Sequence, residues 1–236
     1  MGEDARAHRA FITGLMLKAG TVCSCLTGIG LQMAANEDGF MGSGSLFLYF
    51  TIQSNLAIAA VCLAFFALDA AAKGRHTVPQ GLYALKFVFT VSILLTFTVF
   101  ALLLAPLMPA SYLVSPANIF LHNVTPLLAL ADFLLCGTGF HGRKRHVLYG
   151  MLPPLGYAAA ALALSQTGMR FNGDLVPYFF LNYEKLGWFK LGGEGIGVFY
   201  WIVLIAALVA ALGAALLLLM SLRKKACNRK PQTKAY

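Results

Sequence analysis

Six apolar runs, at about 10–34, 46–68, 83–106, 117–136, 147–165 and 197–222, leave this chain few ways to fold. Each is roughly 20 residues long, and at 1.5 Å of rise per residue that length matches a hydrocarbon core of about 30 Å. Lipid offers a backbone amide no hydrogen-bond partner, so each run is predicted to close its bonds internally as a helix. Composition agrees: of 236 residues, 59% are hydrophobic and 11% charged, against about 45–50% and 25% in soluble domains. The expected fold is all-α, an integral membrane bundle of six transmembrane helices. It forms a single transmembrane domain over 1–236, with 223–236 as a basic tail.

The connections carry the expected punctuation. Asn36, Glu37, Asp38 and Gly39 follow the first run, Lys73, Gly74, Arg75 and His76 the second, and Pro106, Pro109 and Pro116 the third. Lysine and arginine placement sets the orientation. Arg6 and Arg9, Lys73 and Arg75, Arg143 to Arg145, and six residues from Arg223 to Lys234 share one side, while the other side holds only Arg170, Lys185 and Lys190. By the positive-inside rule both termini are expected in the cytoplasm.

A net charge of +9 spread in this way argues for topology rather than nucleic-acid binding. The first run is too long for a signal peptide and is interrupted by Lys18, so it is expected to remain as a helix. Lys18 and Lys86 fall inside nominal spans and are expected to snorkel toward cytoplasmic headgroups.

No cofactor is implied, and no strong metal pattern appears. Cys23, Cys25, Cys62, Cys136 and Cys227 read as packing residues, with Cys23 and Cys25 on opposite helix sides. Asp174, Glu184 and Glu194 are too unevenly spaced for more than an incidental calcium site. Gly39, Gly42 and Gly44 do not open a nucleotide fold. His141 and His146 flank a basic cluster and are expected to be solvated. The loop at about 166–196 is rich in aromatic residues and is expected either to anchor at the membrane surface or to fold back as a lid.

Two polar clusters break the apolar pattern: Thr51, Gln53, Ser54 and Asn55 in the second run, and His122, Asn123, Thr125 and Pro126 in the fourth. Measured from Ser45 and Pro116, Thr51 and His122 both lie about 9 Å below one membrane boundary. Helical spacing puts Thr51, Ser54 and Asn55 on one face and turns Gln53 away. Asn118, His122, Thr125 and Asp132 form a stripe on the fourth helix. Both faces are expected to point into the bundle, where ionisable groups avoid the cost of lipid exposure.

Pro126 removes a hydrogen bond to the His122 carbonyl and is expected to bend the helix there. Asp132, about 15 Å from His122 along the axis, is expected to pair with Lys18, Lys86 or backbone donors. A threonine hydroxyl beside a histidine base suits acyl transfer. The same residue types also serve as hydrogen-bonding contacts between membrane helices.

At these residues the chain resembles the androgen-induced protein family of six-helix membrane proteins, and its bacterial branch in particular. The resemblance rests on Tyr49 to Asn55, on Leu121 to Pro126 followed by Asp132, and on the loop segment Val176 to Asn182. Proline precedes tyrosine in that loop segment, unlike the family's Tyr-Pro-Phe-Leu-like order. The resemblance implies a threonine hydrolase acting on fatty acid esters of hydroxy fatty acids, with Thr51 as nucleophile and His122 as base. Supporting or substrate-binding roles would fall to Ser54, Asn55, Asn118, Thr125, Asp132, Tyr178 and Asn182.

The implied partner is a membrane lipid or fatty acyl ester. The implied location is the cytoplasmic membrane of a bacterium, or an internal membrane such as the endoplasmic reticulum in a eukaryote. Two other readings use the same residues: a small-molecule or proton transporter working through His122 and Asp132, and a non-enzymatic membrane scaffold.

Overall fold

A computed structural model describes residues 3–35, 41, 43–72, 77–193 and 195–228. The connections at 36–40 and 73–76, Gly42, Glu194 and the tail from 229 lie outside the described residues, as do the side chains of Glu3, Asp4, Arg6, Ser43, Cys227 and Asn228. Among the described residues the chain is helical apart from turns and one isolated bridge between Phe171 and Asp174.

Six helices are long and apolar enough to cross a membrane. We label them α1 (Glu3–Ala34), α2 (Phe50–Ala71), α3 (Gln80–Leu107), α4 (Pro116–Cys136), α5 (Arg145–Gln166) and α6 (Val198–Asn228). Their positions match the apolar runs, and they mark the chain as a multi-pass membrane protein. α3 is the most enclosed of the six, whereas α5 and α6 turn most of their surface outward. That outward surface is leucine and aromatic, including Leu148, Leu152, Phe199 and Leu218, as contact with lipid tails requires.

Small residues set the closest helix approach. A Cβ on Gly28 would come within 2.8 Å of Leu121 on α4, and one on Gly14 within 3.2 Å of the Cys136 sulfur. Gly20 faces Leu128 in the same way. Gly30 is not a close-approach point, because a Cβ there would meet nothing within 4 Å.

Two helices contain a π turn, Phe100–Leu104 in α3 and Phe120–Val124 in α4. Each turn is centred four residues before a proline, Pro106 and Pro126 respectively. Proline lacks the N–H that would reach the carbonyl four residues back, and its ring crowds that carbonyl. A wider turn relieves the crowding. At His122 the proline therefore yields a π turn where a simple bend was expected.

Of the two expectations for Lys18 and Lys86, snorkelling is overturned and pairing with Asp132 is what the structure shows. Both are buried, at 3% and 1% exposure, and neither reaches a headgroup. Asp132 holds them: its carboxylate lies 3.2 Å from Lys18 Nζ and 2.5 Å from Lys86 Nζ, and Lys18 also lies 3.2 Å from Asp69. Lys86 sits over the Phe65 ring at 4.5 Å. Pairing wins because an ammonium among apolar helices is stabilised more by a buried carboxylate than by a strained reach to the surface.

His146 also differs from expectation. It is buried against Phe87 and Phe140, and its Nδ1 accepts a 2.8 Å hydrogen bond from the Arg143 N–H. Capping the first turn of α5 draws the ring inward. His141 remains exposed. Cys23 is exposed and Cys25 buried, as their spacing requires.

Asp132→Leu would leave Lys86 buried without its carboxylate, a loss of about 3–5 kcal/mol. Lys86→Met preserves the Lys18–Asp132 pair and is expected to cost clearly less. Thermal unfolding of the two variants in one detergent checks the order, and equal midpoints would contradict the role given to Asp132.

Candidate functional site

The amino-terminal turn of α2 is built differently from the continuous helix that the apolar run suggests. Ser43–Leu48 forms a 3-10 turn, and Tyr49 is extended at φ −87°, ψ 137°. The α-helix proper therefore begins at Phe50, not near residue 46. Thr51 is its second residue, in the turn whose N–H groups have no partner within the helix. Tyr49 O accepts from Ile52 and Gln53, which leaves the Phe50 and Thr51 N–H groups directed at the phenol oxygen of Tyr178.

Thr51 and His122 meet. Thr51 Oγ1 lies 3.3 Å from His122 Nε2, and the two side chains are 4% and 1% exposed. The imidazole stacks on Phe100 with centroids 3.9 Å apart, so the π turn of α3 packs against the π turn of α4. His122 Nδ1 has no well-formed hydrogen bond, although the Asn118 carbonyl one turn back faces the ring. With the Nδ1 proton toward that carbonyl, Nε2 is the free acceptor for the threonine hydroxyl. The sole carboxylate on α4, Asp132, is engaged by the two lysines and does not reach the imidazole.

The neighbouring polar side chains hold the frame. Asn55 Nδ2 donates to Thr51 O at 2.7 Å and to Leu121 O at 3.1 Å. One amide thus ties the turn carrying Thr51 to the residue before His122. Ser54 Oγ donates to Thr51 O and shares a 2.8 Å bond with Thr96 on α3. Thr125 shares a 2.7 Å bond with Ser24 on α1, and Asn118 Nδ2 donates to Leu113 O. Asn182 caps the Tyr183–Leu186 turn through the Lys185 N–H and does not line the site. Gln53 is turned outward, bonded to Phe47 O.

Residues 167–193 fold back over this end of the bundle. Phe171, Val176, Tyr178, Phe180 and Leu181 are buried, while Trp188, Phe189 and Leu191 stay outside. The inner half makes a lid and the outer half an exposed aromatic edge. Tyr178 stacks on Phe180 and packs against Tyr49 and Tyr157. Burial pushes the Tyr178 phenol above its ordinary pKa, while the N–H and hydroxyl groups facing its oxygen pull the other way; the net shift is upward. Below that raised value it is a neutral hydroxyl.

Beneath the lid lies an apolar cavity of about 60 Å³, bounded by α2, α3, α5, α6 and the loop. Thr51 lines it, with Phe100, Leu104, Pro154 and Ile205 among the apolar walls. His122 sits behind Thr51, outside the lining. A larger groove of about 420 Å³ runs between α2, α3 and α5, separated from the first by Phe50 and Tyr157, which line both.

No group of three or more His, Cys, Asp or Glu side chains suited to a metal occurs among the described residues. Sequence reasoning missed the two backbone N–H groups, because they are exposed only by the break at Tyr49. The Ser43-Gly44 pair ahead of the aromatic residues was the available signal. Comparison of the chain with protein-family models, curated proteins and solved structures finds no match.

Asn55→Ala removes two buried hydrogen bonds, one within α2 and one that ties α2 to α4, and an expected loss of about 1–3 kcal/mol follows. Gln53→Ala, on the outer face of the same turn, is expected to stay within about 0.5 kcal/mol. Equal thermal midpoints for these two variants would remove Asn55 from its aligning role.

Proposed function

We propose that this chain is a membrane-embedded lipid ester hydrolase with Thr51 as nucleophile and His122 as base. The observation that carries the proposal is the buried 3.3 Å approach of Thr51 Oγ1 to His122 Nε2, at a threonine that also lines an apolar cavity. A hydroxyl becomes an effective nucleophile only when a base takes its proton, and the apolar walls beside it suit the leading carbons of an acyl group. The motif resemblance to the androgen-induced protein family supports the same assignment.

In the proposed reaction, Thr51 Oγ1 bonds to the ester carbonyl carbon as its proton passes to His122 Nε2. The carbonyl oxygen becomes an oxyanion, and the Phe50 and Thr51 N–H groups at the start of α2 stabilise it. It reaches them by taking the place of the Tyr178 phenol oxygen. The bond from carbonyl carbon to alkoxy oxygen then breaks, and the alcohol leaves with the proton from His122. Water attacks the acyl-threonine, His122 accepts its proton, and release of the fatty acid restores the Thr51 hydroxyl.

Fatty acid esters of hydroxy fatty acids are the substrate class the resemblance suggests. The distribution of lysine and arginine supports cytoplasmic termini, which would place Thr51 in the outer half of the membrane and admit substrate from that leaflet. A transport path through His122 and Asp132 is disfavoured by the engagement of Asp132 with Lys18 and Lys86.

Covalent labelling with a fluorophosphonate carrying an alkyl chain tests the assignment. The wild-type chain is expected to label, Thr51→Ser to keep labelling, and Thr51→Ala and His122→Ala to lose at least about 100-fold in rate. Unchanged labelling of a folded Thr51→Ala protein would rule out this nucleophile.

A further inference from the structure

The opposite end of the bundle carries a groove, formed where the loop between α4 and α5 meets the last turns of α6. The loop is pinned at several points. Phe140 is buried and stacks on Phe87 at 5.4 Å, while Gln80 receives the His141 N–H and donates to the Gly139 carbonyl at 2.7 Å. Lys224 Nζ donates to the Phe140 carbonyl at 2.6 Å, and the Arg223 guanidinium bonds the Leu134 and Leu135 carbonyls. These contacts form a defined groove of about 480 Å³.

The groove is amphiphilic. Leu217, Leu218 and Met220 supply an apolar wall, and Arg143, Lys144 and Lys224 supply cationic groups; among the described residues no acidic side chain lines it. Leu218 is 57% exposed, on the outward side of a membrane-spanning helix. From Leu218 to Lys224 the axis rises about 9 Å, comparable with the polar layer of one leaflet, about 5–8 Å. Lys224 uses one ammonium proton on Phe140 O and retains two for another acceptor.

We propose that this groove binds one anionic phospholipid, with its phosphate held by Arg143, Lys144 and Lys224 and its first acyl carbons against Leu217 and Leu218. A phosphodiester supplies the negative charge that the cationic rim lacks, and the guanidinium of Arg143 suits its oxygens. The lipid-facing Leu218 gives the attached acyl chain a place to run from the groove into the membrane. The site is independent of the ester-hydrolase reading, since it shares no residue with the Thr51 cavity.

The neighbouring charges Arg145 and Lys225 do not line the groove, which provides a matched control. Native mass spectrometry of the full chain, with phosphatidylglycerol or phosphatidylcholine added, reads lipid retention directly. The wild type is expected to retain one phosphatidylglycerol in preference to phosphatidylcholine. Arg143→Gln with Lys144→Gln is expected to weaken retention about 30-fold, taking one rim charge at roughly a factor of five, whereas Arg145→Gln with Lys225→Gln loses less than about threefold. Ser221→Trp, which fills the groove without changing charge, is expected to abolish retention at an unchanged thermal midpoint. Equal losses in the two double variants, equal retention of both lipids, or full retention by a folded Ser221→Trp protein would overturn the site.

Discussion

Lipid gives a buried polar group nothing to bond with, and this constraint organises the whole bundle. Its largest expression is Asp132, which holds two lysines from two other helices inside the apolar core. The pairing fixes α1, α3 and α4 against one another near one end. With α4 held there, its stripe of polar residues must find partners along the rest of its length: Thr125 on Ser24, Leu121 O on Asn55, and His122 on Thr51.

Proline shapes the other end through the same requirement. Pro106 and Pro126 each remove a backbone donor, and the chain answers with a π turn in α3 and in α4. Those turns place Phe100 and His122 ring to ring. A flat ring fixed by stacking keeps Nε2 toward α2, and Asn55 keeps α2 in register. The geometry of the Thr51–His122 pair is therefore maintained by neighbours whose polar groups are occupied by backbone carbonyls and other helices.

The helices were legible because length and hydropathy are local properties. So was the inward face of α2, since Thr51, Ser54 and Asn55 follow helical spacing and Gln53 does not. The burial of His146 was not, and for Lys18 and Lys86 the sequence left two fates open, headgroups or Asp132. Whether a buried cation reaches a headgroup or a carboxylate depends on which helices are adjacent, and residue spacing within one helix carries no record of that. The start of α2 was misplaced for a related reason: Tyr49 is apolar enough to extend the run, yet its extended backbone ends the helix and exposes the Phe50 and Thr51 amides.

By itself the sequence determined a six-helix membrane chain, the polar faces of α2 and α4, and a depth at which threonine and histidine could meet, because these follow from composition and from the rise and period of a helix. Only the tertiary structure decided that the two side chains do touch, that the loop after α5 folds over them, and that Lys18 and Lys86 turn to Asp132 rather than to headgroups. Each of these depends on contacts between segments far apart in the chain, chosen by packing and by the need to satisfy polar groups in a medium that cannot.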